Sequence, residues 1–266
     1  MDKKAQHKEQ EQGAWSQFSV LENLSGTAAA RLVRFAGIGA GAAVLDVACG
    51  TGVVALTAAR LGANVTGVDI TPALIARAKD NAALMQLNAT WYEGDVEALP
   101  LPDAKFDVVV SQFGHMFGPR PAVALKEMLR VLKPGGTLAF STWPPELLIG
   151  RVFTALGKYA PPSAPDFSAA LQWGDPNVVR ERLGAEVEDL TFTRDAMLFQ
   201  MLSVQHYRVF MEHHLSPLIT MLFQALEASD PASAAALRLE MEALAVHYFE
   251  NNALREDYLM TRAVKR

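Results

Sequence analysis

"VLDVACGTG", residues 44–52, decides the fold. Val44 to Val47 are suited to a buried strand, and a run of small residues holding Gly50 and Gly52 follows directly. A strand that gives way to so bare a backbone ends in a tight turn. Glycines there also let a ligand reach the main chain with no Cβ in the way. "VVALTAARLG" continues with helical spacing and Gly62 as its stop, so the unit reads strand, turn, helix.

The same rhythm repeats outward from this unit. Before it, "TAAARLVRF" (27–35) fits a short amphipathic helix. After it, "NVTGVD" reads as a second strand and "TPALIARAKDNAALMQL" as a helix, with Thr71 at its N-cap and Pro72 in its first turn. "ATWYEG" is a third strand. "FDVVVSQF" is a fourth, apolar enough to be covered on both faces. "PAVALKEMLRVL" is the next helix, and "KPGG" turns into a fifth strand, "TLAFSTW". Strands alternating with helices predict an α/β fold: a doubly wound, mostly parallel sheet.

The chain has 266 residues, a net charge of −5 and one cysteine. That length suits one core with a smaller cap. The acidic balance gives nucleic acid or an anionic membrane no hold. A lone cysteine forms no internal disulfide, which fits a reducing cytoplasm. The polar opening "MDKKAQHKEQEQGAW" lacks the apolar stretch of a signal peptide, and no later run is apolar enough to span a bilayer. The expectation is a cytoplasmic protein with no membrane insertion, and a loose arm up to about Gly13.

Beyond Trp143 the pattern changes. "WGDPNVVRERLG" is a helix capped by Asp175, opened by Pro176 and stopped by Gly184. "EVEDLTFTRDAMLF" and "DYLMTRAVK" alternate as strands. Two helical stripes lie between them, Tyr207 to Leu226 and Leu237 to Tyr248, and Ser216-Pro217 is expected to break the first. The expected organisation is an arm or lid over 1–26 and one domain over 27–266. Within it, 27–143 binds the cofactor, 144–257 caps the substrate, and 258–264 is the last strand.

Ligands of open parallel sheets lie at the carboxyl ends of the strands. Asp69 ends the second strand, where a carboxylate accepts hydrogen bonds from both hydroxyls of a ribose. With the glycine turn, it points to an adenosine-containing ligand. A dinucleotide turn wants G-x-G-x-x-G, and Ala55 stands where its third glycine belongs. Asp46, inside the end of the first strand, repels a pyrophosphate and suits a cationic amino group or sulfonium. S-adenosylmethionine is therefore favoured over a nicotinamide dinucleotide. A nicotinamide-dependent oxidoreductase, and a silent S-adenosylmethionine-binding protein, are the alternatives.

At this point the chain resembles the class I S-adenosylmethionine-dependent methyltransferases, in the broad group related to the ubiquinone and menaquinone C-methyltransferases. "VLDVACGTG", "VTGVDI", "GDVEALPLPDAKFDVVVSQFGHMF" and "EMLRVLKPGGTLAFSTW" carry the likeness, over residues 40–143. Ala48 replaces the first glycine of the family's D-x-G-x-G-x-G loop; the second and third are Gly50 and Gly52. The resemblance implies a seven-stranded sheet with inserted cap helices and an antiparallel last strand. It implies that Asp69 binds the ribose, that Ile70 packs on the adenine, and that Asp95 and Val96 meet its edge. The backbone near Ser111 and Gln112 would hold the methionine amino group.

Transfer of the methyl by direct in-line displacement needs alignment above all, and a base only where the acceptor must lose a proton. His115, after the fourth strand, is the candidate base, with lining the pocket as the plainer reading. Phe113, Met116, Phe117 and Trp143 suggest an apolar or aromatic wall for a small-molecule acceptor. Cys49 reads as a small buried residue. No metal site is expected from His206, His213, His214 and His247.

Overall fold

Strands and helices alternate from Ala43 onward in the computed structural model, which describes residues 22–160, 168–215 and 217–266. The arm with Trp15 and Phe18, and Ser216, lie outside the described residues. β1 (Ala43–Val47), β2 (Asn64–Asp69), β3 (Thr90–Glu93), β4 (Phe106–Gln112) and β5 (Leu132–Thr142) form the parallel part of the sheet. β6 (Val187–Gln200) and β8 (Ala253–Lys265) complete it, and β8 runs antiparallel to both β5 and β6. The order is β3-β2-β1-β4-β5-β8-β6, and a two-residue β7 (Phe249–Glu250) pairs with β8. That small rung makes eight strands where seven were expected.

The order reverses between β1 and β4, so a crevice opens at their carboxyl ends, where Asp46 and Ser111 stand. Val44, Leu45, Val47, Val109 and Val110 are fully enclosed in these two strands because helices cover both faces. These are α2 (Val53–Ala59), α3 (Pro72–Leu84), α4 (Pro121–Val131), α5 (Leu148–Tyr159), α6 (Ser168–Leu171) and α7 (Pro176–Leu183). α7 is capped as its sequence predicts, Asp175 accepting from the Asn177 N–H at 2.8 Å.

The helix α1 (Glu22–Phe35) is already formed at Glu22, ahead of the expected Thr27. Its Glu22 carboxylate accepts from Arg77 Nε at 2.9 Å and from Asn81 Nδ2 at 3.0 Å on α3. The first turn therefore has tertiary partners that local propensity does not reveal. "KPGG" is a bulge inside β5. Pairing with β4 jumps from Phe106–Leu132 to Val108–Thr137, and Lys133 donates to Asp107 at 2.6 Å across the irregularity.

β6 and β8 pair far beyond the carboxyl end of β5. Thr142 faces Leu259, whereas the β6–β8 ladder continues to Gln200–Ala253. The last strand is thus longer than the expected 258–264, because the hairpin has its own partner above the sheet. It carries α8 (Val204–Phe210), a π-helical turn (Met211–Leu215), α9 (Pro217–Ser229) and α10 (Pro231–Ala245). The stripe from Tyr207 to Leu226 is accordingly two helices, the second opened by Pro217. Glu212 ties α8 to α10: it accepts from Arg208 at 3.0 Å and from Arg238 Nε at 3.1 Å. Among the described residues, no helix is long and apolar enough to cross a membrane.

Candidate functional site

The turn after β1 opens the crevice. Ala48, Gly50 and Gly52 all have positive φ, at 53°, 54° and 84°. The two glycines do different work. A Cβ on Gly52 would stand 2.7 Å from the Trp91 ring, so this glycine is needed for packing. A Cβ on Gly50 would meet nothing within 4 Å, so the main chain there faces open space. That is the bare backbone a ligand can approach.

Two buried carboxylates flank the turn. Asp69, at the end of β2, accepts from the Gly50 N–H at 2.8 Å and from the Thr71 N–H at 2.9 Å. Thr71 holds the N-cap position of α3, but its side chain makes no capping bond; its own N–H donates to Asp69. Burial raises the Asp69 carboxyl above its ordinary range despite these donors. Asp46 accepts from the Ala55 N–H of α2 at 2.9 Å. Burial pushes its carboxyl up to about 8, and Asp69 adds to the rise. Two carboxyls this deeply buried disfavour a pyrophosphate, and a ligand that brings positive charge favours their ionised form. Between them, Cys49 is buried, and burial first, then the two aspartates, raises its thiol.

The other proposed cofactor contacts line the same edge. Ile70 follows Asp69 directly. Asp95 and Val96 follow β3, and Asp95 accepts from the Glu97 N–H at 2.9 Å, which fixes that turn. Ser111 donates to the Val47 carbonyl at 2.8 Å and ties β4 to β1. Gln112 donates to the Ser25 carbonyl of α1 at 3.3 Å.

The aromatic residues expected as one wall are divided. Phe113 has φ 60° and stacks on Trp143 with ring centroids 3.9 Å apart. Tyr258 of β8 meets Phe113 edge-on at 5.5 Å. Met116 is instead enclosed in the core, and Phe117 faces Phe153 of α5. Sequence reading missed Tyr258; the period-two alternation of β8 next to β5 is the signal that places it.

His115 needs correction. The expectation was a near-neutral imidazole at the open edge, but its ring is fully enclosed, 4.6 Å from Phe140 and 4.8 Å from Trp173. Burial, helped by Arg182, lowers it to about 3. Among the described residues neither ring nitrogen has a hydrogen-bond partner. It is a neutral core residue, and its backbone N–H rather than its ring is engaged, donating to Ser111 Oγ at 3.1 Å.

A reversed parallel sheet, a glycine turn open to a ligand and an acid at the end of each of the first two strands define an adenosyl-binding domain for a cationic cofactor. Comparison with known proteins completes the assignment. A family model described as "Methyltransferase domain" matches residues 45–140. An uncharacterised protein of Mycobacterium tuberculosis is 34% identical over 236 residues, 88% of this chain and 85% of its own. The demethylmenaquinone methyltransferase of Deinococcus radiodurans is 40% identical over 114 residues, 41% of this chain and 47% of that protein.

Among solved structures, the YcgJ protein of Bacillus subtilis shares the fold with a TM-score of 0.61 at 19% identity, covering 90% of this chain and 98% of that one. The Haemonchus contortus phosphoethanolamine N-methyltransferase 2, in complex with S-adenosyl-L-methionine, gives 0.55 at 15% identity, covering 90% and 52%. The chain belongs to the class I S-adenosylmethionine-dependent methyltransferases. It is a methyltransferase with S-adenosylmethionine as its cofactor, which sets aside the nicotinamide-dependent oxidoreductase.

Proposed function

We propose that this enzyme methylates a small acceptor, largely apolar or aromatic, by direct in-line displacement in a pocket above β4, β5 and β8. The observation that carries the acceptor class is the Phe113–Trp143–Tyr258 cluster, at the carboxyl ends of β4 and β5 and beside the amino-terminal half of the antiparallel β8. The net charge of −5 supports a small molecule over nucleic acid.

When bound, the cofactor supplies an electrophilic methyl on a sulfonium whose departure leaves a neutral thioether. The protein's share is binding, orientation and dryness. Asp69 accepts from the ribose hydroxyls, Ile70 and Val96 cover the adenine, and Asp95 accepts from its amine. Gly50 lets the chain lie close, with Ala48 and Gly52 shaping the turn. Asp46 compensates the cationic end, and the backbone at Ser111 and Gln112 holds the amino group. Holding two reactants together in this way supplies about 7–11 kcal/mol of a barrier. Residues 27–143 form the cofactor half, and 144–257 cap the acceptor.

The test is methyl-labelled S-adenosylmethionine with a protein-free extract of the source organism, followed by separation of the products. Label in a small apolar product is the expected result. Label confined to added protein or nucleic acid would overturn the acceptor class.

A further inference from the structure

The cap holds two buried glutamates, and they are treated differently. Glu212 is 4% exposed. Burial by itself would raise its carboxyl, but Arg238 and Arg208 outweigh that and hold it below the usual range. Glu256, on β8, is 1% exposed, and among the described residues no lysine, arginine or histidine pairs with it. It accepts one hydrogen bond at 2.7 Å, from the hydroxyl of Tyr207 on α8, itself 1% exposed. A fold that neutralises one buried carboxylate with two guanidiniums leaves the other bare. A buried acid without a counter-ion is a costly feature for stability alone and is characteristic of working sites.

Its place in the fold gives the site. Leu254, Glu256, Tyr258 and Met260 alternate onto one buried face of β8, while Arg255 and Asp257 pair with each other on the exposed side. Tyr258, one alternation away along the strand (~7 Å), is the ring that meets Phe113. Glu256 therefore stands at the cap end of the same strand face that carries the aromatic wall. The residue across from it on β6 is Met197, and Phe199 stands across from Leu254. Further along that face lie Asp195, paired with Arg31 of α1, and Tyr258 itself. Among the described residues, the one titratable group hydrogen-bonded to the Glu256 carboxyl is Tyr207.

We propose that Glu256, oriented by Tyr207, is the proton acceptor for a hydroxyl-bearing methyl acceptor. This rests on the small-acceptor reading above and narrows it to molecules with an acidic hydroxyl, phenolic or enolic. The acceptor's O–H bond breaks, its electron pair stays on the acceptor as the nucleophile, and the proton passes to the free oxygen of Glu256, which becomes a neutral acid. Burial raises this carboxyl to about 7, so near neutral pH it is ionised in a good part of the molecules and still basic enough to accept.

The test compares wild type with Glu256→Gln and Tyr207→Phe. Glutamine keeps an oxygen for the Tyr207 hydroxyl, so the hydrogen bond and the shape survive. In Glu256→Gln, S-adenosylmethionine affinity by calorimetry should stay within about twofold, while methyl transfer to the protein-free extract falls roughly 10²–10⁴-fold. The acid limb of the wild-type rate profile, with a midpoint near 7, should disappear in this variant and move to higher pH in Tyr207→Phe, because the carboxylate loses its donor. A readout independent of activity is the stability of the cofactor-free chain, whose decline between pH 4.5 and about 7 should flatten in Glu256→Gln. A folded, cofactor-binding Glu256→Gln protein that transfers at the wild-type rate overturns the proposal. Wild type that labels only macromolecules overturns the small-acceptor reading and this one together. An unchanged variant beside an active wild type overturns this one alone.

Discussion

The Cβ that Gly114 lacks would fall less than 3.0 Å from the Cβ of Ala48. Ala48 itself holds φ 53°, a left-handed conformation that costs an alanine about 1–2 kcal/mol. The residue that departs from the family's glycine pattern is thus accommodated by a glycine in the loop after β4. Gly114→Ala should destabilise the protein by about 1–3 kcal/mol through overpacking and weaken S-adenosylmethionine binding. Ala48→Gly in the same chain should restore most of both, since it removes the opposing methyl and the strain. Urea denaturation and calorimetry on the four-member cycle check this; additive effects would show that the two positions are not coupled.

Gly50 and Asp69 separate folding from binding. Gly50→Ala has room for its methyl in the free protein but keeps φ 54°, so it should lose only about 1–2 kcal/mol of stability. Its cofactor affinity should fall much further than that. Asp69→Asn keeps one side-chain oxygen and should stay folded with affinity reduced tenfold or more, whereas Asp69→Ala also strips the Gly50 and Thr71 N–H groups of their acceptor. Equal affinity for wild type and a folded Asp69→Asn protein would remove Asp69 from the site.

Asp46 links cofactor binding to pH. Its folded-state value is raised from 3.8 to about 8, so the stability that this one group contributes is fully present below about pH 4 and is lost as pH climbs toward 8. Asp46→Asn should flatten much of that decline. A cationic ligand beside Asp46 favours its ionised form, so binding at pH 7 should release a proton and tighten as pH approaches 8. Titrations in two buffers of different ionisation enthalpy measure the release directly; identical heats would place the cation away from Asp46.

His115→Phe tests the packing assignment of that ring. A phenyl group fills the space between Phe140 and Trp173 and removes two buried nitrogens without partners, each worth about 1–3 kcal/mol when left unsatisfied. Stability should hold or rise, and the methyl-transfer rate should change less than tenfold. A rate loss of several hundredfold with unchanged cofactor affinity would restore the imidazole as a base.

The cofactor half was legible because local rules and tertiary demands coincide there. "VLDVACGTG" needs a strand for burial and a bare turn for approach, and both needs are written in adjacent residues. Asp175 could be read as a helix cap for the same reason. What escaped reading depends on distant partners. Glu22 is held by Arg77 and Asn81, which stand on another helix. His115 looks like a functional residue in one dimension and is enclosed by Phe140 and Trp173, which lie 25 and 58 positions along the chain. Tyr207 and Glu256, 49 residues apart, meet through a 2.7 Å bond that no periodicity reveals.

The hairpin that carries the cap has a further consequence. Gln200 and Ala253 face each other at the end of the β6–β8 ladder, so the chain leaves the sheet and returns to it at one rung. Everything from Met201 to Asn252 is consequently a cassette with its two ends already tied. Such a stretch can be exchanged, lengthened or trimmed as a piece without disturbing strand order or the glycine turn.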